Sequence, residues 1–190
     1  TLAVQLLAGE PSAAVRIESV RVGFGGVYKA GHWTPVWVTL ANDGRDVDVE
    51  LQVAARDGEG VQAIVVRSPV SRIRLNASGK TTALRYVKAG RVGSGLTVRA
   101  VGDQGELASR TFSAAELGHA EPSTQELIVS LGPPAGVDDA ARKTRRDRTQ
   151  PVTVCTVSDQ GELPTDWYGY EGVDIVFATT GDAGVLEKLA

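Results

Sequence analysis

Residues 47–55 read Val-Asp-Val-Glu-Leu-Gln-Val-Ala-Ala. Successive side chains of an extended strand point to opposite faces. Val47, Val49, Leu51, Val53 and Ala55 therefore share one side, and Asp48, Glu50, Gln52 and Ala54 share the other. An apolar face backed by a solvated one is the mark of an antiparallel sheet lying against a core. The pattern continues upstream through Val36, Val38 and Leu40 to an Asn42-Asp43-Gly44 turn. Further upstream, Val15 and Ile17 alternate, and then the phase slips by one before Val20, Val22 and Phe24. A slip of this kind predicts either a β-bulge or a strand that changes sheets. Downstream of a 56–60 loop, strands are predicted over 61–66, 72–75, 82–87, 96–101 and 108–112. Turns recurring at roughly 8–12 residue intervals predict an immunoglobulin-like sandwich of two antiparallel sheets over residues 15–118, essentially without helix.

The character changes after residues 119–126, a polar stretch expected to be a linker. Leu127–Leu131, Val152–Val157 and Val173–Ala178 are short, continuously apolar runs. Between the first two, Val137–Arg148 carries Asp138 and Asp139 early and basic residues late, the charge order that suits a helix dipole. A nascent helix is expected from Gly184. Strand, helix, strand, loop, strand predicts βα units and a flavodoxin-like parallel sheet buried on both faces, only partly present in residues 127–190. Such strands need cover, so the expectation is that this chain is a fragment of a longer protein, or that a partner, such as a second copy, covers the sheet.

The totals exclude several classes. The 190 residues carry 20 basic and 23 acidic side chains, and that balance is not the basic footprint of a nucleic-acid binder. One cysteine, Cys155, rules out an intrachain disulfide and a cysteine-built zinc site. No run approaches the ~20 apolar residues that span a bilayer. Residues 1–14, apolar and then Pro-Ser-Ala-Ala, read either as the end of a secretory signal or as a first strand or tail.

The motifs that invite a chemical reading are empty. Ser78-Gly79-Lys80-Thr81-Thr82 ends like a phosphate-binding loop, but Arg74 occupies the first glycine position and the segment joins two strands. Gly132-Pro133-Pro134-Ala135-Gly136 sits where a dinucleotide loop would, yet it lacks the glycine spacing, and its prolines remove backbone donors. Cys155 lies within a strand, not on an elbow, and reads as a buried structural thiol. His32 and His119 have no companions at metal-ligand spacing. The Arg142–Arg148 basic run reads as the wet face of a helix. No catalytic, cofactor or metal residue is assigned. Asp159, Glu162, Asp166, Trp167 and Tyr170 are the candidates for a ligand-facing loop, because Asp159 follows a strand's C-terminal end, where α/β sites form.

Two stretches carry a resemblance. Residues 23–44, with Trp33-Thr34-Pro35-Val36 leading into a strand that stops at an Asn-x-Gly turn, resemble the opening of the extracytoplasmic sandwich of large membrane-anchored bacterial envelope proteins. Residues 163–180, through Leu163-Pro164, Trp167, Tyr170 and Asp174, are similar to the stretch before the third strand of class I glutamine amidotransferase-like domains in such proteins. The resemblance implies an exported protein tethered by a membrane helix outside this chain. It implies also that the amidotransferase nucleophile would sit on an elbow after a later strand. In that setting Trp33 and Pro35 would fix the start of their strand, and Trp167 and Tyr170 would cover the edge of the small sheet. The expected function is a non-catalytic envelope binding or scaffold protein, without cofactor, acting on an unidentified protein or envelope partner. The alternative is the N-terminal part of an amidotransferase-like or other α/β hydrolytic enzyme with its catalytic residues beyond Ala190.

Overall fold

The computed structural model describes residues 15–65, 71–133, 136–144, 152–158, 161, 163–178 and 187. Two antiparallel sheets face each other over residues 15–112. The first is ordered β1-β3-β7, from β1 (Val15–Val22), β3 (Trp33–Asn42) and β7 (Gly79–Lys88). The second runs β5-β4-β8-β9, from β4 (Val47–Arg56), β5 (Gln62–Val65), β8 (Leu96–Gly102) and β9 (Gly105–Phe112). A further strand, β6 (Arg72–Leu75), pairs with the first half of β4. Val36, Val38 and Leu40 from one sheet meet Val49, Leu51 and Val53 from the other, all buried in one core. The face predicted for residues 47–55 is the face that is buried.

The phase slip in β1 resolves as a bulge. Ile17 pairs with Leu40 and Ser19 with Thr39, so Glu18 is the extra residue and both Ile17 and Val20 point into the core. Strand β1 stays with β3 along its whole length and does not change sheets. Among the described residues between 15 and 118, the helix that occurs is the single turn α1 (Ala114–Leu117).

The stretch expected to be a linker is stitched into the sandwich. β10 (His119–Glu121) pairs in parallel with β2 (Val27–Lys29), and Glu121 and Gln125 are buried. The close approach depends on Gly118, whose φ is 102°. A Cβ there would lie 2.1 Å from the Gly26 carbonyl oxygen, so only glycine fits.

Beyond it, β11 (Glu126–Leu131) is the centre of a parallel sheet ordered β12-β11-β13, with β12 (Val152–Val157) and β13 (Ile175–Ala178) on its two sides. Helix α2 (Val137–Thr144) follows β11, as predicted. The part of that helix expected at residues 145–148, and with it most of the basic run, lies outside the described residues. So do residues 1–14 and, apart from helical Glu187, the helix expected from Gly184. Leu127 to Leu131 are buried on both faces of β11. Strand β13 departs from that expectation: Ile175, Val176 and Phe177 are exposed, because among the described residues this edge strand has only β11 beside it.

Candidate functional site

The two sheet systems meet through the chain that precedes β13. Alternation along β7 puts Val87 in the sandwich core and Tyr86 on the outer face of the sheet. The Tyr86 hydroxyl accepts the backbone N–H groups of Thr165 and Asp166, each at 3.0 Å. Those bonds hold a 3-10 turn, Trp167–Tyr170, against β3 and β7. The Tyr168 ring stands edge-on to Tyr86 at 4.7 Å and to Trp33 at 5.9 Å. Gly169 lies in the contact itself. A Cβ there would come within 2.6 Å of both the Tyr86 ring and the Pro164 side chain.

Tyr170 turns the other way. Its ring lies 5.5 Å from Phe24, and the two join Leu127, Val129, Leu131, Cys155 and Leu163 in the core beneath the parallel sheet. Phe24 follows β1, so the sandwich contributes a side chain to the core of the second unit. Burial pushes the hydroxyls of Tyr86 and Tyr170 up, that of Tyr170 to about 12, and both remain protonated at neutral pH.

Charged groups line the same junction. Asp174 Oδ2 accepts the Leu127 N–H at 2.7 Å and pairs with the buried ammonium of Lys29. Burial works to raise the Asp174 carboxyl. The hydrogen bonds from Lys29 and Leu127, with the charges of Lys29 and His32, outweigh it and hold the group below its ordinary range. Glu171 accepts the Trp33 N–H at 2.5 Å and lies 3.7 Å from the Lys88 ammonium. His32 Nδ1 is buried without a hydrogen-bond partner.

Of the five candidates for a ligand-facing loop, Asp159 and Glu162 lie outside the described residues. Asp166 occupies the residue before the 3-10 turn without a side-chain cap bond and is half-buried; Tyr170 is half-buried and packs inward. Trp167 faces out, 83% exposed, and touches the Tyr168 ring at 5.9 Å. The structure thus separates Trp167 from Tyr170. Sequence reasoning passed over Tyr86, Lys29, Phe24 and Gly169. An aromatic residue on the wet side of β7 was the available signal for Tyr86; nothing near Lys29 marked it as buried.

The Ser78–Thr82 segment and Cys155 sit within the strand framework, whereas residues 134 and 135 of the Gly132–Gly136 loop lie outside the described residues. Ser78-Gly79 forms the β6–β7 turn, with Gly79 N–H donating to the Asn76 carbonyl at 3.1 Å, and Lys80 pairs with Glu18 at 2.8 Å. Burial, reinforced by the Glu121 charge, pushes the Cys155 thiol up to about 11, which leaves it protonated and unreactive. Among the described residues no three His, Cys, Asp or Glu side chains gather to hold a metal, and no helix is long and apolar enough to cross a membrane. A groove of about 300 Å³ runs beside β1, where the Arg21 guanidinium covers the Trp37 ring at 5.5 Å.

A family model described as a domain of unknown function (DUF8726) matches residues 16–114, just over half of the chain and nearly all of the sandwich. No curated protein matches the sequence. Among solved structures, the C-terminal part of α2-macroglobulin from Escherichia coli is similar at 15% identity and a TM-score of 0.40, over 60% of this chain and 18% of that one. A CARDB domain from Pyrococcus furiosus reaches 12% identity and 0.36, over 62% of this chain and 95% of its own. The Pseudomonas fluorescens alkylpurine DNA glycosylase AlkC reaches 16% identity and 0.36, over 54% of this chain and 30% of that one. The chain therefore spans less than a third of the glycosylase and less than a fifth of the macroglobulin.

Proposed function

The chain belongs to the DUF8726 family, and from that premise we propose that it is a non-catalytic binding or scaffold module of the bacterial cell envelope. The observation that carries the binding half of this reading is Trp167. An indole 83% exposed gains little from folding, yet the turn beneath it is held by the Tyr86 hydroxyl and the Tyr168 ring. Tryptophan on a preorganised turn contributes large contact area with little ordering cost, which is why it is enriched at the centres of protein interfaces. Placement outside the cytoplasm, with a membrane anchor in the parent protein, rests on the resemblance of residues 23–44 and 163–180 to envelope proteins.

The test is cosedimentation of the purified chain with bacterial cell-wall sacculi and with membrane vesicles. Retention that falls about tenfold in Trp167→Ala, with stability unchanged, is the expected result, in line with truncation of an interface anchor. Absence of retention, or equal retention of the variant, overturns the proposal.

One observation favours a second reading. The order β12-β11-β13 places the first strand of the unit at its centre, with α2 leaving its C-terminal end. That order supports a flavodoxin-like continuation, whose ligand sites form at the C-terminal ends of the strands on either side of the switch point. An amidotransferase-like or other hydrolytic parent enzyme would build its site there. Glutamine consumption by the parent protein, measured as released ammonia, would favour the enzyme over the scaffold.

A further inference from the structure

The sandwich and the parallel sheet share a polar contact that neither completes alone. Lys29 ends β2, and its side chain is only 5% exposed. The carboxylate that neutralises it, Asp174, is 44% exposed and belongs to the approach to β13. The same carboxylate oxygen accepts the Leu127 N–H at 2.7 Å, and the Asp174 N–H donates to the Leu127 carbonyl at 3.0 Å. Both backbone groups of Leu127, the first fully buried residue of β11, are thus held by a residue that the sandwich holds in turn. The packing around the pair is close: a Cβ on Gly172 would lie 3.3 Å from the His32 Cβ and 3.4 Å from the Lys29 Cβ.

We infer that Lys29 and Asp174 form a latch that makes the order of β11, and so of the parallel sheet, conditional on the folded sandwich. The latch is one-sided. An ammonium buried without its counter-charge is strongly unfavourable, whereas a carboxylate already half in water loses little when its cation goes. Losing the Asp174 carboxylate strands the Lys29 charge in the junction and weakens the side-chain acceptor of the Leu127 N–H, while the backbone N–H at position 174 still donates to the Leu127 carbonyl. Losing Lys29 to an apolar residue of similar length leaves Asp174 hydrated and still accepting from Leu127.

Hydrogen exchange of the full chain reads this directly, strand by strand. In Asp174→Asn, exchange at residues 127–131 is expected to rise about tenfold or more while residues 49–53 of β4 keep their protection. In Lys29→Met the rise at 127–131 is expected to stay within about threefold. Adding Lys29→Met to Asp174→Asn is expected to restore most of the lost protection, because the stranded charge is gone. Should Asp174→Asn fail to fold, a folded double variant supports the latch and an unfolded one overturns it. Equal effects of the two single variants, no rescue in the double, or a matching loss of protection in β4 each overturn it.

Discussion

The Tyr86 hydroxyl of the sandwich accepts the backbone N–H of Asp166 at 3.0 Å, across 80 residues of sequence, and the N–H of Thr165 at the same distance. One side chain thereby orients the whole turn that carries Trp167 outward and Tyr170 inward.

Tyr86→Phe keeps the ring that packs on Tyr168 and removes the acceptor of two N–H groups. A buried donor left without a partner costs about 1–3 kcal/mol. The urea midpoint should fall accordingly, with the denaturant slope unchanged. A midpoint equal to that of the native protein would show that water takes over both bonds.

Gly169→Ala and Trp167→Ala should behave oppositely. The first drives a methyl to within 2.6 Å of the Tyr86 ring, and such overpacking costs about 1–3 kcal/mol. The second removes an exposed indole and should change stability by less than about 0.5 kcal/mol. Thermal unfolding of the two variants side by side checks the ordering.

Within the sandwich, Leu51→Ala should cost about 2–5 kcal/mol, since Leu51 is fully buried between the sheets. Gln52→Ala, on the wet face, should be nearly silent. Equal shifts of the denaturation midpoint at the two positions would contradict the register.

Acid should loosen the junction through Asp174. Its carboxyl is held below the ordinary value by Lys29 and Leu127, and His32 is the other charged group facing it. A group depressed in the folded state stabilises fully above its unfolded pKa of about 4, and that contribution is lost as pH falls through the depressed value. The native protein should therefore lose stability on acidification across this window, and Asp174→Asn, which has no proton to take up there, should lose less. Parallel urea midpoints for the two proteins from pH 7 to pH 3 would refute the assignment.

The sandwich was readable because period-2 alternation is a local signal. Val47 through Ala55 announce which face is buried without reference to any other strand, and the slip between Ile17 and Val20 announces an irregularity, which pairing with β3 resolves as a bulge at Glu18. The helix–strand order after residue 126 was readable for the same reason, from continuous apolar runs and the charge order of residues 137–148. The polarity of His119–Glu121 suggested a linker and gave no sign of its strand pairing, which arises where two glycines from distant segments, Gly26 and Gly118, let the stretch approach β2.

What the sequence by itself determined is therefore the type of most elements and the facing of the sandwich strands, since these follow from side-chain period and turn chemistry within a few residues. The tertiary structure alone decided the junction. A lysine followed by Ala-Gly-His looks like an exposed loop cation, and a tyrosine on the wet side of a strand looks like surface. Lys29 became a buried charge, and Tyr86 an acceptor of two N–H groups, only when residues 145 and 80 positions away, respectively, arrived beside them. Pairing energies at such separations depend on which surfaces meet, and no local pattern encodes that meeting.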